Sequence, residues 1–403
     1  MRKSKKLLSA LTLTTVFGLV AAACGSDDEA ADDTTTTAAA ADTTAPAADT
    51  TAPAADTTAP AADTTEAPAD SSEAPTGDVT ACEVTDLGGV DDKGFNQTAF
   101  EGMTRAEEEL GTKSDLLESK SDADYATNIQ SFLEKDCSVI ITVGFLLDGA
   151  TAEAAKANPD QQFAIVDSTA QDNNGTPDDF ADDVALPNVR PLLFATEEPS
   201  FLAGYLAAGM TKTGKVATYG GINIPPVVVF MDGFLNGVNY YNEQKGTAVE
   251  VLGWDGSEGS FAGNFDNLDD GRKLAQGFAD EGADIIFPVA GPVGLGSAAF
   301  ATEQGGAIRI IGVDVDQYVS NPQDASVYLA SVLKGIDAAV FDTINNIVES
   351  GAPGDPYTGT LENGGVGLSE FHDQDGDVPQ ELKDELEALT AAIIAGDVEV
   401  LPG

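Results

Sequence analysis

Three aspartates, Asp86, Asp167 and Asp314, each close an apolar run, and other runs close on glycine at Gly144, Gly220-Gly221 and Ala290-Gly291. Carboxylates beside bare backbone at the ends of hydrophobic strands supply acceptors for a small polar ligand that comes close to the main chain. Catalytic chemistry finds less material. The sequence holds one histidine, His372, which leaves nothing for a histidine-based triad or a histidine-rich metal site. The run Asp373-Gln-Asp-Gly-Asp377 starts like a calcium loop, but Val378 falls where glycine is required and Asp384 where glutamate is usual, so a solvated loop is expected. Gly291-Pro-Val-Gly-Leu-Gly296 lacks the Gly-Lys-Ser/Thr ending of a phosphate-binding loop. The residues point to a binder that needs no cofactor, and not to an enzyme.

The elements that position these ends alternate. Apolar, β-rich runs are predicted as strands at 81–84, 139–143, 162–166, 189–194, 215–219, 248–252, 284–289, 308–313 and 325–330. Between them, apolar residues three and four apart predict helices at 97–110, 125–135, 199–211, 231–242, 270–282 and 332–349. Strands separated by helices imply an α/β fold whose parallel sheets are covered on both faces, with ligands bound beyond the carboxyl ends of the strands. A body of about 325 residues exceeds what one core usually serves, so two domains are expected.

The amino terminus reads as an address. Arg2, Lys3, Lys5 and Lys6 precede an apolar run from Leu7 to Ala23 and then Cys24, the plan of an export signal too short for a comfortable membrane span. Small residues before a cysteine resemble a bacterial lipobox, with Ala21 standing where leucine is usual, so Cys24 is expected to carry a lipid that holds the chain at the outer face of the cytoplasmic membrane. Residues 1–23 are then the signal and 24–78 a tether of Ala, Thr, Asp, Pro, Ser and Glu in which Asp42-Thr-Thr-Ala-Pro-Ala-Ala recurs from Asp49 and Asp56. Nothing in it buries enough apolar surface to offset the entropy of ordering. Extended, the tether would reach about 170 Å; as a coil, about 40 Å.

The whole chain has a formal net charge of −49. Most of that charge, about −40, lies in the body, which argues against nucleic acid or an anionic lipid surface as partner. Setting Cys24 aside leaves Cys82 and Cys137, which in an exported chain either pair or remain as two buried thiols.

Four stretches carry more than pattern: Thr85-Asp-Leu-Gly-Gly-Val-Asp-Asp-Lys-Gly-Phe-Asn-Gln97; Glu198-Pro-Ser-Phe-Leu-Ala-Gly-Tyr-Leu-Ala-Ala208 leading to Lys215-Val-Ala-Thr-Tyr-Gly-Gly221; Gly259-Ser-Phe261; and Gly312-Val-Asp-Val-Asp-Gln317 followed by Ser331-Val-Leu-Lys334. In this order, and with Gly364-Gly-Val-Gly367 and an acidic terminal helix, they resemble the basic membrane lipoprotein family, the nucleoside-binding receptors of ATP-driven importers. The resemblance implies a type I periplasmic-binding fold: two Rossmann-like lobes joined by three crossings and closing on a nucleoside. The first lobe would be 79–197 plus about 325–350, the second 198–324 plus part of the carboxyl-terminal tail at 351–403. Its partners would be an ABC permease and ATPase, with the receptor a monomer.

The same resemblance assigns roles. Phe95 and Phe261, one from each lobe, would stack on the two faces of the base, each contact contributing about 1–3 kcal/mol. Asn96 and Asp167 suit the base edge, although Asn96 could instead cap the helix that follows it. Asp86 would line the cleft, Asp314 and Lys334 would hold the ribose hydroxyls, and Gly291 would let backbone approach the sugar. Lys334 could otherwise be an ion-pair partner of Asp314. A sensor on the same fold and a calcium-dependent nucleoside hydrolase are the alternative functions.

Overall fold

The computed structural model describes residues 78–175 and 183–401. The export signal, Cys24 and the tether therefore lie outside the described residues, as do residues 176–182.

The first lobe runs β1 (Thr80–Thr85), α1 (Phe95–Leu110), β2 (Lys113–Leu117), α2 (Asp122–Leu133), β3 (Val139–Val143), α3 (Asp148–Ala157), β4 (Gln162–Val166) and β5 (Val189–Phe194). The second runs α4 (Glu197–Met210), β6 (Lys215–Gly220), α5 (Pro225–Lys245), β7 (Glu250–Leu252), α6 (Leu268–Asp280), β8 (Ile285–Val289), α7 (Val293–Glu303), β9 (Arg309–Asp314), α8 (Gln317–Ser320) and β10 (Tyr328–Lys334). The chain then returns to the first lobe with α9 (Ile336–Ser350) and β11 (Tyr357–Gly359), and to the second with β12 (Val366–Leu368) and α10 (Gln380–Ile394). Three crossings thus join the lobes: Phe194 to Glu197, Lys334 to Ile336, and Gly359 to Val366.

Each lobe has one six-stranded sheet, in the orders β2-β1-β3-β4-β5-β11 and β7-β6-β8-β9-β10-β12. Every pairing is parallel except β10 with β12. Alternation along the strands separates the cores. Val139, Ile141 and Val143 face Ala99, Met103 and Ala106 of α1 and Val340 and Ile344 of α9, whereas Ile140 faces Ile129 and Phe132 of α2. In the second lobe Phe287 and Val289 join α4 and α5, while Ile286 joins the α6 and α7 side. Each fully buried Val, Ile, Phe or Met among them contributes about 1.5–3 kcal/mol through the surface it removes from water. Cys82 and Cys137 form a disulfide, Cα atoms 6.0 Å apart, that ties β1 to the turn before β3.

The matching orders of the two sheets put β4 and β9 in equivalent places, as they do β1 and β6, so the two lobes aim the same strand ends at one cleft. Two differences from the sequence reading have physical causes. Residues 328–334 belong to the second lobe, because β10 pairs with β9; only the α9 part of the expected 325–350 insertion lies in the first. The short edge strands β2, β11 and β12, and the helices α3 and α7, carry too few large apolar residues to show a period. The glycines of 291–296 lead into α7, where an added Cβ at Gly296 would stand 1.9 Å from the Leu268 carbonyl oxygen, so that glycine admits α6 and not a phosphate.

Candidate ligand-binding cleft

The carboxyl ends of both sheets border a cavity between the lobes, walled by Phe95 and Phe145 on one side and Phe230 and Phe265 on the other. Seven of the residues expected at a site line it together: Asp86, Phe95, Asn96, Asp167, Gly291, Asp314 and Lys334. Phe261 does not. Its backbone bridges to Gly220 beside β6, and its ring packs against Gly220 and edge-on to Trp254, centroids 6.1 Å apart. Phe265, four residues on in the loop before α6, stands on the cavity wall instead.

Asp92 organises the first-lobe wall. Its Oδ1 accepts from the backbone N–H groups of Gly94 (2.9 Å) and Gln97 (3.1 Å), and its Oδ2 from that of Asn96 (2.9 Å). The start of α1 is therefore capped by Asp92, and the capping considered for Asn96 does not occur. The Asn96 side chain is left for other work. Its Nδ2 donates to Asp86 Oδ1 at 3.0 Å and to Asp92 Oδ2 at 3.3 Å, which fixes the amide orientation, while its buried Oδ1 has no partner. Gly144 lets the Asp86 carboxyl lie against the main chain: at φ +113°, a Cβ there would meet Asp86 Oδ2 at 2.4 Å.

Asp167 and Asp314 end equivalent strands and share an uncommon backbone, with φ +66° and +67°. Aspartate tolerates this left-handed region better than most residues, and such conformations persist where surrounding structure holds them. Between the lobes stands Lys334. Its ammonium pairs with Asp167 Oδ2 at 2.5 Å, not with Asp314, and lies 4.9, 5.2 and 5.7 Å from the ring centres of Phe95, Phe194 and Phe230. At 2% side-chain exposure it is a buried cation. The ion pair crosses the cleft, because β10 belongs to one sheet and β4 to the other.

Four carboxyl groups facing one ammonium make the cavity acidic. Burial pushes Asp86 up to about 8, with Asp92 and Asp167 adding to the rise and Asn96 and Lys334 opposing it. Burial likewise raises Asp314 to about 6 against the pull of Lys334, and raises Asp92 despite its backbone hydrogen bonds. Such a cavity offers flat apolar walls and an excess of acceptors, which suits a neutral, planar ligand rich in N–H and O–H donors.

Sequence reasoning missed Asp92 and Phe265. Asp92 precedes the predicted helix start and carries the residue type of a cap. Phe265 lies two residues before Asn267, whose side chain caps α6, and a loop feeding a helix at the strand-end side of an α/β sheet borders the cleft. The lone histidine lies outside the cavity: His372 Nε2 is 2.6 Å from Asp316 Oδ2 and its ring stacks on Tyr318, centroids 4.1 Å apart, fastening the tail to the loop after β9. The loop that began like a calcium site is spent on Asp375 pairing with Lys383 and on a buried Gln374. Among the described residues no three or more His, Cys, Asp or Glu side chains are placed to hold a metal ion.

Comparison with known proteins gives this arrangement relatives. Residues 79–400 match the family model described as ABC transporter substrate-binding protein PnrA-like. A "CD4+ T-cell-stimulating antigen" of Listeria monocytogenes is 32% identical over 344 residues, covering 80% of this chain and 88% of that protein. The "ABC transporter nucleoside-binding protein BmpA" of Lactococcus lactis is 30% identical over 340 residues, covering 80% and 89%. A crystal structure of an ABC transporter system solute-binding protein from Aeropyrum pernix superposes with a TM-score of 0.70 at 26% identity, covering 80% of this chain and 94% of that one.

Proposed function

This chain belongs to the PnrA-like family of ABC transporter substrate-binding proteins, and from that premise we propose that it captures nucleosides, purines foremost, and delivers them to a membrane permease driven by an ATPase. The observation that carries the reading is the cavity itself: facing aromatic walls from two lobes, with carboxyl and amide groups between them. Phe95 and Phe265 hold the base, each stack contributing about 1–3 kcal/mol. Asp86, Asn96 and Asp167 meet its edge, Asp314 and Lys334 take the ribose hydroxyls, and Gly291 leaves room at the sugar. The nucleoside-binding relative from Lactococcus lactis supports the ligand class.

Closure of the lobes on the ligand presents both lobe tips to the permease. A lipid on Cys24 and the tether of 24–78 would hold this monomeric receptor near its importer, raising its effective concentration there. Chemistry on the ligand forms no part of the proposal. A thermal-shift screen of nucleosides, free bases and sugars tests it. A nucleoside at about 100 times its dissociation constant is expected to stabilise the protein by about 2.7 kcal/mol, whereas stabilisation by sugars alone would overturn the reading.

A further inference from the structure

Asp86 lines the cavity with one carboxyl oxygen already committed. Oδ1 accepts from Asn96 Nδ2 at 3.0 Å, so Oδ2, the oxygen set against Gly144, is the one left to meet a ligand. Charged and titratable groups face this carboxyl from every side. Asp92 comes from the loop before α1, Asp167 from the end of β4, Lys334 from the end of β10 and Tyr125 from α2, with Asp314 across the cavity. Glu83 lies below on the same strand, fully buried with both oxygens unpartnered. Among the described residues the one ammonium in reach is taken by Asp167. A carboxylate at the buried Asp86 would therefore add negative charge where negative charge already exceeds its neutralisation.

Asn96 supplies the second half. Its Nδ2 is held by two carboxyl groups, and its Oδ1, on a residue only 1% exposed, has no hydrogen-bond partner among the described residues. A buried acceptor left unpaired is costly unless a ligand N–H completes it.

We infer that Asp86 is a neutral carboxylic acid in the closed cavity and donates its proton, as a hydrogen bond from Oδ2, to an acceptor atom on the ligand's base. Beside it Asn96 Oδ1 receives an N–H, so the two residues read an acceptor next to a donor, the pattern that adenine presents at N7 and its amino group. Asp86 is thereby a specificity-determining residue through the proton it keeps. The inference rests on the nucleoside reading. Its burial-raised affinity for protons supports it, since Asp86 titrates at about 8 rather than in the ordinary carboxylate range. Ligand affinity is then full below that pH and falls as pH rises through it.

The test compares Asp86→Ala and Asp86→Asn with the wild-type protein by calorimetric titration of adenosine, guanosine, cytidine and uridine at pH 7 and pH 9. Asparagine keeps the shape, the acceptor for Asn96 and a permanent donor. Wild-type affinity is expected to fall about tenfold between pH 7 and pH 9. Asp86→Ala loses tenfold or more at pH 7, and Asp86→Asn recovers most of that loss, holds its affinity across the range and binds more tightly than wild type at pH 9. Ionisation of the nucleoside is common to all three proteins and cancels. If Asp86→Asn binds as poorly as Asp86→Ala, or wild-type affinity rises with pH, the carboxylate acts as an acceptor and the inference is wrong. An infrared difference spectrum of the ligand-free proteins, wild type minus Asp86→Asn, stands apart from binding and cancels the buried Glu83: a protonated-carboxyl C=O band at pH 7 supports the inference, and its absence overturns it. Failure of every nucleoside to bind wild type overturns the functional reading instead, and the infrared result still decides the state of Asp86.

Discussion

Lys334→Met is expected to destabilise the closed protein by about 3 kcal/mol at neutral pH, because it removes one partner of a buried ion pair and leaves the other without compensation. Lys334 is buried, pairs with Asp167 across the cleft and draws down the proton affinity of Asp314 and Asp86. Without it four carboxyl groups share a cavity with no cation. Both Asp314, at about 6, and Asp86, at about 8, already titrate above the ordinary aspartate value. Raised folded-state values mean that these two groups favour folding fully below the unfolded value and lose that contribution as pH climbs through about 6 and about 8. The deficit of Lys334→Met therefore shrinks at pH 5, where both carry protons. Urea unfolding at pH 5 and pH 7.5 measures this. Adding Asp167→Asn to Lys334→Met should restore most of the loss, since the uncompensated charge goes with it. A deficit below about 0.5 kcal/mol, or one that grows toward acid, would show that the pair contributes little.

The aromatic walls give the second large effect. Phe95→Ala and Phe265→Ala are each expected to weaken nucleoside binding at least tenfold, and the double variant to weaken it by about 2–6 kcal/mol if the two stacks act on opposite faces of one base. Phe261→Ala is the discriminating control. Its ring fills space beside Gly220 and Trp254, so its loss should lower stability and leave affinity within about threefold. Calorimetry on the three single variants separates these outcomes; a loss confined to Phe261→Ala would return the stacking role to that residue.

How far the site could be read from the chain depended on what carried each residue. The strand-end aspartates were legible because apolar runs that stop on Asp or Gly mark the ends of buried strands, and Asp86, Asp167 and Asp314 all stand where those runs stop. Phe95 and Asn96 were legible inside a long motif of fixed spacing. Phe261 was misplaced because Gly259-Ser-Phe261 is followed by another phenylalanine at 265, and only the cap at Asn267 shows which of the two sits at the rim of α6. The cross-lobe pairing of Lys334 with Asp167 had no local signal at all, since the two are 167 residues apart and meet only when both sheets are assembled. In the same way β10 read as first-lobe because it adjoins α9 in sequence, whereas hydrogen bonding to β9 decides its sheet.

Titration of the wild-type protein with purine nucleosides, their 5′-monophosphates and free ribose bears most directly on the central claim. The account predicts that a nucleoside binds at one site per chain, while its monophosphate binds at least a hundredfold more weakly, since a dianion would enter a cavity holding four carboxyl groups and one lysine. Ribose alone, without a base for Phe95 and Phe265, should bind weakly or not at all. Monophosphates that bind as tightly as nucleosides, or ribose that matches them, would contradict it.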